Sequence, residues 1–220
     1  MPPLNSVSAE KLRKIRFVIS DVKSVCLNKS ARKPAYLIQY QSGESVLVSS
    51  AQLTCNHSIE ELENKGLLTV VNFPRKQIGK VMSDCLTTGV WNGVSPESIV
   101  ACGVASSSPG SSVNWFGEPY IGTEPIDRNL TWDDFTDVLI KVGTLKNVIG
   151  KDNGSWRVTV DIGGSEFVTS SIYVNCDPGI WMGSQCLVCV NFCEGPVVMT
   201  YDCKELVKPL KPCPDGLHLA

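Results

Sequence analysis

Hydrophobic and polar residues alternate over short stretches of the chain, the pattern that β-strands with one buried face produce. In the first half this alternation predicts five strands, near residues 17–26, 35–41, 45–49, 67–72 and 85–88. A glycine within residues 41–44 suits a hairpin turn between the second and third strands. A short helix is predicted over 58–63, because Ser58 and Glu61 have the spacing of a capping box.

The same pattern returns in the second half of the chain. Five stretches have counterparts in the same order, at offsets that drift from 123 to 117 residues: 21–25 with 144–148, 36–40 with 156–160, 49–50 with 170–171, 71–73 with 190–192, and 82–85 with 199–203. Small loop deletions in a duplicated unit produce such a drift. We predict a first domain over 10–90 and a second, degenerate copy over 132–220.

A segment rich in Ser, Gly and Pro over 91–131 joins the two predicted domains. Its aromatic residues favour an extended cover packed on both domains, and a second short helix is predicted within 129–135. Five short strands with a helix before the fourth describe a partly open Greek-key barrel of the OB type. The predicted fold class is therefore all-β, with two OB-fold barrels and short helices.

The amino-acid composition argues against several classes of protein. The 220 residues are 43% hydrophobic and include 18 Gly, 13 Pro and 10 Cys, which argues against a helix bundle and a disordered chain. No apolar run reaches the roughly 18–20 residues of a membrane span, and residues 1–10 lack the apolar core of a signal peptide. We expect a soluble, cytoplasmic protein without membrane contact.

Charge is divided unevenly along the chain. Residues 11–80 contain 12 Lys and Arg against 5 Asp and Glu, whereas residues 81–220 contain 8 against 16. A basic segment of this kind is suited to a polyanion, although two oppositely charged halves could equally attract each other. Both interpretations remain open on charge alone.

The cysteines Cys186, Cys189 and Cys193 have a spacing that zinc sites use. Their apolar neighbours predict a strand, on which Cys186 and Cys189 would point to opposite faces. We therefore favour buried, reduced thiols and predict no metal site and no cofactor. The two histidines, His57 and His218, stand in no recognisable nucleophile arrangement, and His57 is expected at the surface of a polar loop. The sequence predicts a binding protein rather than an enzyme.

Three motifs in the first half resemble those of a known family. Residues 70–84 (VVNFPRKQIGKVMSD) resemble the Asn-Phe-Pro…Met-Ser-Asp signature of the tRNA-binding OB domain, which is appended to aminoacyl-tRNA synthetases and their scaffolding proteins. Residues 31–35 (ARKPA) and 49–54 (SSAQLT) resemble its CsaA-type branch. The second half matches less well, because residues 194–196 (EGP) stand where the first half has residues 75–80. The resemblance implies an OB fold and tRNA binding.

Loops at the strand ends of the first domain carry the candidate binding residues. Cations there can neutralise phosphates, and neutral side chains can contact a base edge or a 2′-OH. Phe73 is a candidate stacking platform or, alternatively, a core residue; the basic loop could also be an ordinary solvated loop. The predicted nucleic-acid-binding residues are Arg32, Lys33, Ser49, Ser50, Gln52, Asn72, Phe73, Arg75, Lys76, Gln77, Lys80 and Ser83.

The leading hypothesis is a tRNA- or RNA-binding protein that acts in trans, on its own or with an aminoacyl-tRNA synthetase. The CsaA resemblance adds a chaperone that binds unfolded or exported polypeptide. It also implies homodimers, so the two halves of this chain are expected to form an intramolecular pseudo-dimer. A third hypothesis is a scaffold that docks protein partners through its acidic half.

Overall fold

The computed structural model describes residues 6–42, 44–93, 98–105, 113–116 and 127–220. In the first half the elements are α1 (Ala9–Lys14), β1 (Phe17–Leu27), β2 (Tyr36–Ser42), β3 (Ser45–Ala51), α2 (Ile59–Leu62), β4 (Gly66–Val70), β5 (Lys76–Ile78), β6 (Val81–Ser83), β7 (Leu86–Thr87), β8 (Gly89–Trp91), β9 (Ile99–Val104) and β10 (Val113–Asn114). They are followed by α3 (Trp132–Thr136), β11 (Ile140–Asp152), β12 (Ser155–Asp161), β13 (Phe167–Ile172), a 3-10 turn (Pro178–Trp181), β14 (Gln185–Cys189), β15 (Val197–Val198), β16 (Thr200–Tyr201), β17 (Glu205–Leu206) and β18 (Lys208–Pro209). The predicted all-β class is confirmed.

The first barrel is built on β1, which pairs antiparallel with β2 on one edge and with β4 on the other, while β3 continues the sheet beyond β2. A β-bulge between Val22 and Ser24 shifts the register. Because the bulge adds one residue, Val22 and Val25 both face the barrel interior with Val18. The strand can therefore bend around the core.

Residues 83–84 bridge the free edge of β3. The backbone N–H of Asp84 donates to the carbonyl of Val48 at 2.7 Å, and the N–H of Val48 donates to the carboxylate of Asp84 at 3.0 Å. Just beyond, β7 pairs with β4. The segment after β4 thus spans the gap between β3 and β4 and ties the two edges together.

The second barrel is closed, with strand order β11-β12-β13-β15-β14. Its first strand carries a β-bulge between Leu145 and Asn147. This bulge lies 123 residues after the bulge of β1. Leu145, Val158 and Val160 are fully buried in a core of their own. The two barrels therefore bend their first strands at corresponding positions.

The two barrels share a third apolar core between them. Phe17 and Ile19 on β1 turn away from their own barrel and lie in one apolar cluster with Ile140 and Val142 on β11. These pairs are again 123 residues apart. Burial of both strand faces removes a large apolar area from water, and this term drives the association of the halves. The barrels consequently pack through equivalent faces.

Three segments of the chain bond to the opposite barrel. The N–H of Val7, before α1, donates to the carbonyl of Asn191 at 2.8 Å, and the N–H of Leu130, before α3, donates to the carbonyl of Asn72 at 3.3 Å. At the other end of the chain, β18 pairs with β9 of the first sheet. These segments therefore join the two barrels through backbone hydrogen bonds.

Several local predictions are confirmed. The strands β1 to β4 overlap the predicted ranges, α2 and α3 lie where the two short helices were predicted, and the capping box of α2 joins Ser58 and Glu61. Of the predicted connecting segment 91–131, the structure describes 91–93, 98–105, 113–116 and 127–131, and its role as a cover for both domains stays a prediction, as do the domain boundaries.

One expectation from the sequence is wrong. His57 is not at the surface but is 4% exposed, and its Nε2 accepts the N–H of Ala101 at 3.0 Å. Burial, with Lys211 nearby, lowers the pKa of His57 to about 4. A neutral ring with a lone pair on Nε2 is what this hydrogen bond requires. His57 is therefore a buried, hydrogen-bonded residue of the first half.

Cys186 lies in the core of the second barrel, whereas Cys189 lies in the core between the barrels. The alternation along β14 places them on opposite faces, as predicted. Burial raises the pKa of each thiol to about 12. Cys193 is exposed. In the part of the chain that the structure describes, no helix is long and apolar enough to cross a membrane.

Candidate nucleic-acid interface

Two segments of the first barrel form one surface, which we call the basic rim: the loop 28–34 between β1 and β2, and the segment 75–84 with the hairpin β5–β6. The strands β5 and β6 pair from Lys76 to Ser83. The rim lies along β3, because residues 83–84 bond to that strand. Loops at strand ends are where OB barrels bind their ligands.

A polar network joins the two segments of the rim. Asn28 donates through Nδ2 to the hydroxyl of Ser50 at 2.9 Å and accepts from the hydroxyl of Ser30 at 2.8 Å. Ser30 in turn accepts the N–H of Lys80 at 3.0 Å, while Ser83 accepts the N–H of Ser50 at 3.0 Å. These bonds hold both loops in register with the end of β3.

Gly79 allows the loops to approach this closely. It has a φ of +65°, and a Cβ there would lie 2.4 Å from the carbonyl oxygen of Ser30. Side chains disfavour the left-handed conformation, and no heavy atom fits at that distance. A glycine is therefore required at the tip of the β5–β6 hairpin.

The predicted cations of the rim are brought together. Arg32, Lys33, Lys76 and Lys80 are exposed, and among the described residues none of the four is within 4.0 Å of a carboxylate. Arg75 differs, because its Nε lies 2.8 Å from Asp84. Lys29 is also exposed in the same loop and was missed by the sequence analysis. The rim thus retains a positive surface.

The neutral candidates divide into two groups. Gln77 is exposed and its amide donates to the carbonyl of Gly79 at 3.2 Å, and Gln52 is half-buried just after β3. Ser49 and Ser83 are buried, and Ser49 accepts the hydroxyl of Thr87 at 3.0 Å. Ser49, Ser50 and Ser83 consequently support the rim from below, whereas Gln77 lies on its surface.

Asn72 is 3% exposed, and both ends of its amide bond to backbone. Its Oδ1 accepts the N–H of Arg16 at 3.0 Å, and its Nδ2 donates to the carbonyl of Lys14 at 2.8 Å. Asn191 repeats this in the second barrel: it accepts from Leu139 at 2.9 Å and donates to Asp137 at 2.8 Å. These contacts fix the chain that enters each barrel.

Phe73 packs against two aromatic rings of α3. Its centroid lies 5.9 Å from that of Trp132 and 5.8 Å from that of Phe135. The second-half helix therefore covers Phe73 at the base of the rim. Arg128 adds to this junction by donating to the carbonyl oxygens of Phe73 at 3.3 Å and of Asp84 at 2.5 Å.

Arg128 and Trp132 were missed by the sequence analysis as neighbours of the basic loop. They lie 44 or more residues after that loop in the chain, and only the packing of the two halves brings them to it. The predicted helix within 129–135 was the available signal. In the part of the chain described here, no group of three His, Cys, Asp or Glu side chains is arranged to hold a metal ion.

Comparisons with solved structures link this chain to CsaA chaperones. The CsaA chaperone protein from Picrophilus torridus is 30% identical, with a TM-score of 0.42, over 48% of this chain and 97% of that one. Chaperone CsaA from Bacillus anthracis str. Ames is 28% identical, with a TM-score of 0.43, over 47% of this chain and 94% of that one. The similarity to CsaA thus extends over about half of the present chain.

The C-terminal domain of Plasmodium vivax p43 is similar over a greater length. The match covers 94% of this chain and 96% of that one, with a TM-score of 0.51 and 13% identity. At this identity the likeness shows a shared fold. No family model and no curated protein matches the sequence.

Proposed function

We propose that this protein binds RNA, and tRNA in particular, by contacting the sugar-phosphate backbone with the basic rim of the first barrel. Four exposed cations without a carboxylate partner among the described residues are the observation that carries the proposal. Cations in such an arrangement displace counterions from a polyanion, which supplies affinity without recognition of base sequence. In this proposal the protein acts as a binder in trans and catalyses no reaction.

The roles of the candidate residues differ within this proposal. Arg32, Lys33, Lys76 and Lys80 contact phosphates, and Gln77 contacts a 2′-OH or a base edge. Arg75 stabilises the rim through Asp84, and Ser50 and Ser83 hold it on β3. Asn72 has its whole amide engaged with the backbone, so we assign it to the support of the barrel rather than to RNA.

We further infer that the halves arose by duplication and pack as a pseudo-dimer. The support is fourfold: corresponding bulges in β1 and β11, corresponding asparagines 72 and 191, reciprocal crossing segments, and equivalent strand faces in the shared core. The second barrel then supports the first, because it supplies Arg128 and Trp132 to the base of the rim.

Fluorescence anisotropy with labelled tRNA tests the proposal. Lys33→Glu combined with Lys76→Glu should lower the affinity at least about tenfold at about 50 mM salt, because phosphate contacts dominate binding. The matched control combines Lys151→Glu with Lys204→Glu, two exposed lysines of the second barrel. Both variants change net charge equally, so the control should bind nearly as the unaltered protein does.

Salt dependence completes this test. Between about 50 and 200 mM salt, the affinity of the unaltered protein should fall steeply, and the rim variant should show a shallower slope. Equal weakening by both variants, or binding that does not respond to salt, would contradict phosphate recognition. Salt-insensitive binding of unfolded polypeptide would instead support the chaperone alternative, for which the exposed Val46 and Met82 near the rim offer apolar surface.

A further inference from the structure

Trp132 is an exposed aromatic side chain beside the basic rim. It is 55% exposed, although its ring is held on one side by Phe73 and by Phe135, whose centroid lies 5.4 Å away. Its ring is tilted by 33° to that of Phe73, which lies two residues before the rim segment 75–84 in sequence. A large indole that is supported on one side and open on the other is the geometry of a stacking surface.

The corresponding position of the first half carries no aromatic ring. Both helices begin with a hydroxyl cap, Ser8 before α1 and Thr131 before α3, so Ala9 corresponds to Trp132. Phe192, the counterpart of Phe73, packs instead against Phe116 at 5.1 Å. Packing of the halves therefore requires no tryptophan at this place. Of the two helix starts that the structure describes, the one that adjoins the basic rim carries an indole, and the other carries Ala9.

Charge separates the two parts of this surface. Asp127 and Asp133 are exposed near Trp132, and Asp134 is bonded to Lys14 at 2.6 Å and to Thr131. Phosphates are therefore disfavoured at Trp132 itself and favoured at the rim cations. An uncharged base face is suited to the indole, provided that the base is not paired within a duplex.

We propose that Trp132 is a stacking platform for an unpaired base of the RNA whose phosphates contact the basic rim. This inference rests on the proposed function and names its ligand more closely: an RNA in which a single-stranded end or loop adjoins a helical part. The second half of the chain thereby contributes directly to the binding surface of the first.

Two labelled hairpin RNAs with the same stem test the proposal, one blunt and one with a 3′ overhang of about four unpaired nucleotides. The unaltered protein should bind the overhang RNA more tightly. Trp132→Ala should lower that affinity at least about fivefold while leaving blunt-stem binding within about twofold. Trp132→Phe should retain most of the preference for the overhang.

Trp132→Leu distinguishes two roles of the indole: stacking on an RNA base, and shielding Phe73 from water. Leucine keeps an apolar group over Phe73 but has no π-face, so it should lose the preference for the overhang while unfolding in urea close to the unaltered protein. Trp91→Ala removes another exposed tryptophan, 49% exposed, and should leave both affinities unchanged.

The outcomes distinguish this inference from the proposed function. The role of Trp132 would be overturned, and the basic rim left intact, if the preference for the overhang hairpin were the same in the unaltered protein, Trp132→Ala and Trp132→Leu. Failure of the unaltered protein to bind either hairpin would overturn both. An overhang preference that Trp132→Ala removes and Trp91→Ala keeps would support the platform.

Discussion

The two barrels differ most at the loops that form the basic rim. In the first barrel, residues 28–35 connect β1 to β2 and include three cations, whereas only Asn153 and Gly154 connect β11 to β12. Between β4 and β7 the first barrel has the segment 75–84, which includes the β5–β6 hairpin and carries three further cations. The corresponding connection of the second barrel, residues 190–196 between β14 and β15, carries Glu194 and no cation.

The features that the two barrels share are those that hold the chain in place. Both keep a bulged first strand, a buried asparagine after the fourth strand and a capped helix at the entrance. Loop insertions cost little free energy, because the entropy of closing a loop grows slowly with its length. The rim can therefore be present in one barrel and absent from the other without a change in the core.

The interface between the barrels also carries opposite charges. Lys14 bonds to Asp134, and Lys11 forms the reciprocal ion pair with Asp137. Lys14 and Thr131 hold the pKa of Asp134 well below its usual range. If two copies of the first barrel packed in this way, Lys11 of one copy would face Lys14 of the other. Exposed ion pairs add little stability, but they select the unlike partner.

The largest effect on stability is expected at the matched asparagines. Asn72→Ala removes the hydrogen bonds that the amide makes to the N–H of Arg16 and to the carbonyl of Lys14 at a partly buried place. We expect the free energy of unfolding to fall by about 2–4 kcal/mol, and Asn191→Ala to cost a similar amount. Urea unfolding of the two variants measures both values.

Asparagine variants that keep one of the two bonds serve as the control. Asn72→Asp can still accept from Arg16 but cannot donate to Lys14, so its loss should lie between those of the unaltered protein and Asn72→Ala. A large cost at Asn72 with none at Asn191 would show that different contacts hold the two barrels, and would contradict the correspondence between the two asparagines.

A smaller and unequal effect is expected at two loop glycines. Gly79→Ala forces a Cβ against the carbonyl of Ser30, so we expect a loss of about 2 kcal/mol and weaker tRNA binding. Gly195, in the connection between β14 and β15, has a φ of +104° with open space around its Cβ position. Gly195→Ala should cost about 1 kcal/mol, from backbone conformation alone.

Urea unfolding and tRNA anisotropy, measured on the same two glycine variants, separate the rim from its counterpart. Gly79→Ala should change both quantities and Gly195→Ala only the first. If tRNA affinity fell equally in both variants, the second barrel would take part in binding through a loop that carries no cation, and the contrast between the barrels would be wrong.

Local sequence signals predicted much of this architecture. Alternation located β1 to β4, the capping box located α2, and the repeated motifs located the corresponding strands of the second barrel. These features depend on residues close together in the chain, so a single sequence carries them. The predicted cations also proved to be neighbours, because both of their loops belong to one barrel.

Contacts between residues far apart in the chain could not be predicted from these local signals. The sequence offered Asn72 as a polar residue in a basic motif, and nothing local showed that its amide would be used by residues 14–16. His57 was misplaced for a similar reason, since its partner Ala101 lies 44 residues later. Trp132 reaches Phe73 only through the packing of the halves. Contacts of this range require coordinates.

The smallest predicted effect is a pH dependence that belongs to the first barrel, because His57 has its partner there. Its pKa is about 4 in the folded protein and near 6.5 when unfolded, so the unfolded chain binds the additional proton between these values. Stability should be complete above about pH 6.5 and decline as the pH falls from there towards 4. The neighbouring charges, Lys211 and Glu61, form an ion pair with each other at 2.9 Å. His57→Gln can accept the N–H of Ala101 but does not titrate, so urea unfolding of this variant should show a weaker decline over the same range. An identical decline in both proteins would assign the pH dependence to other groups, His218 among them.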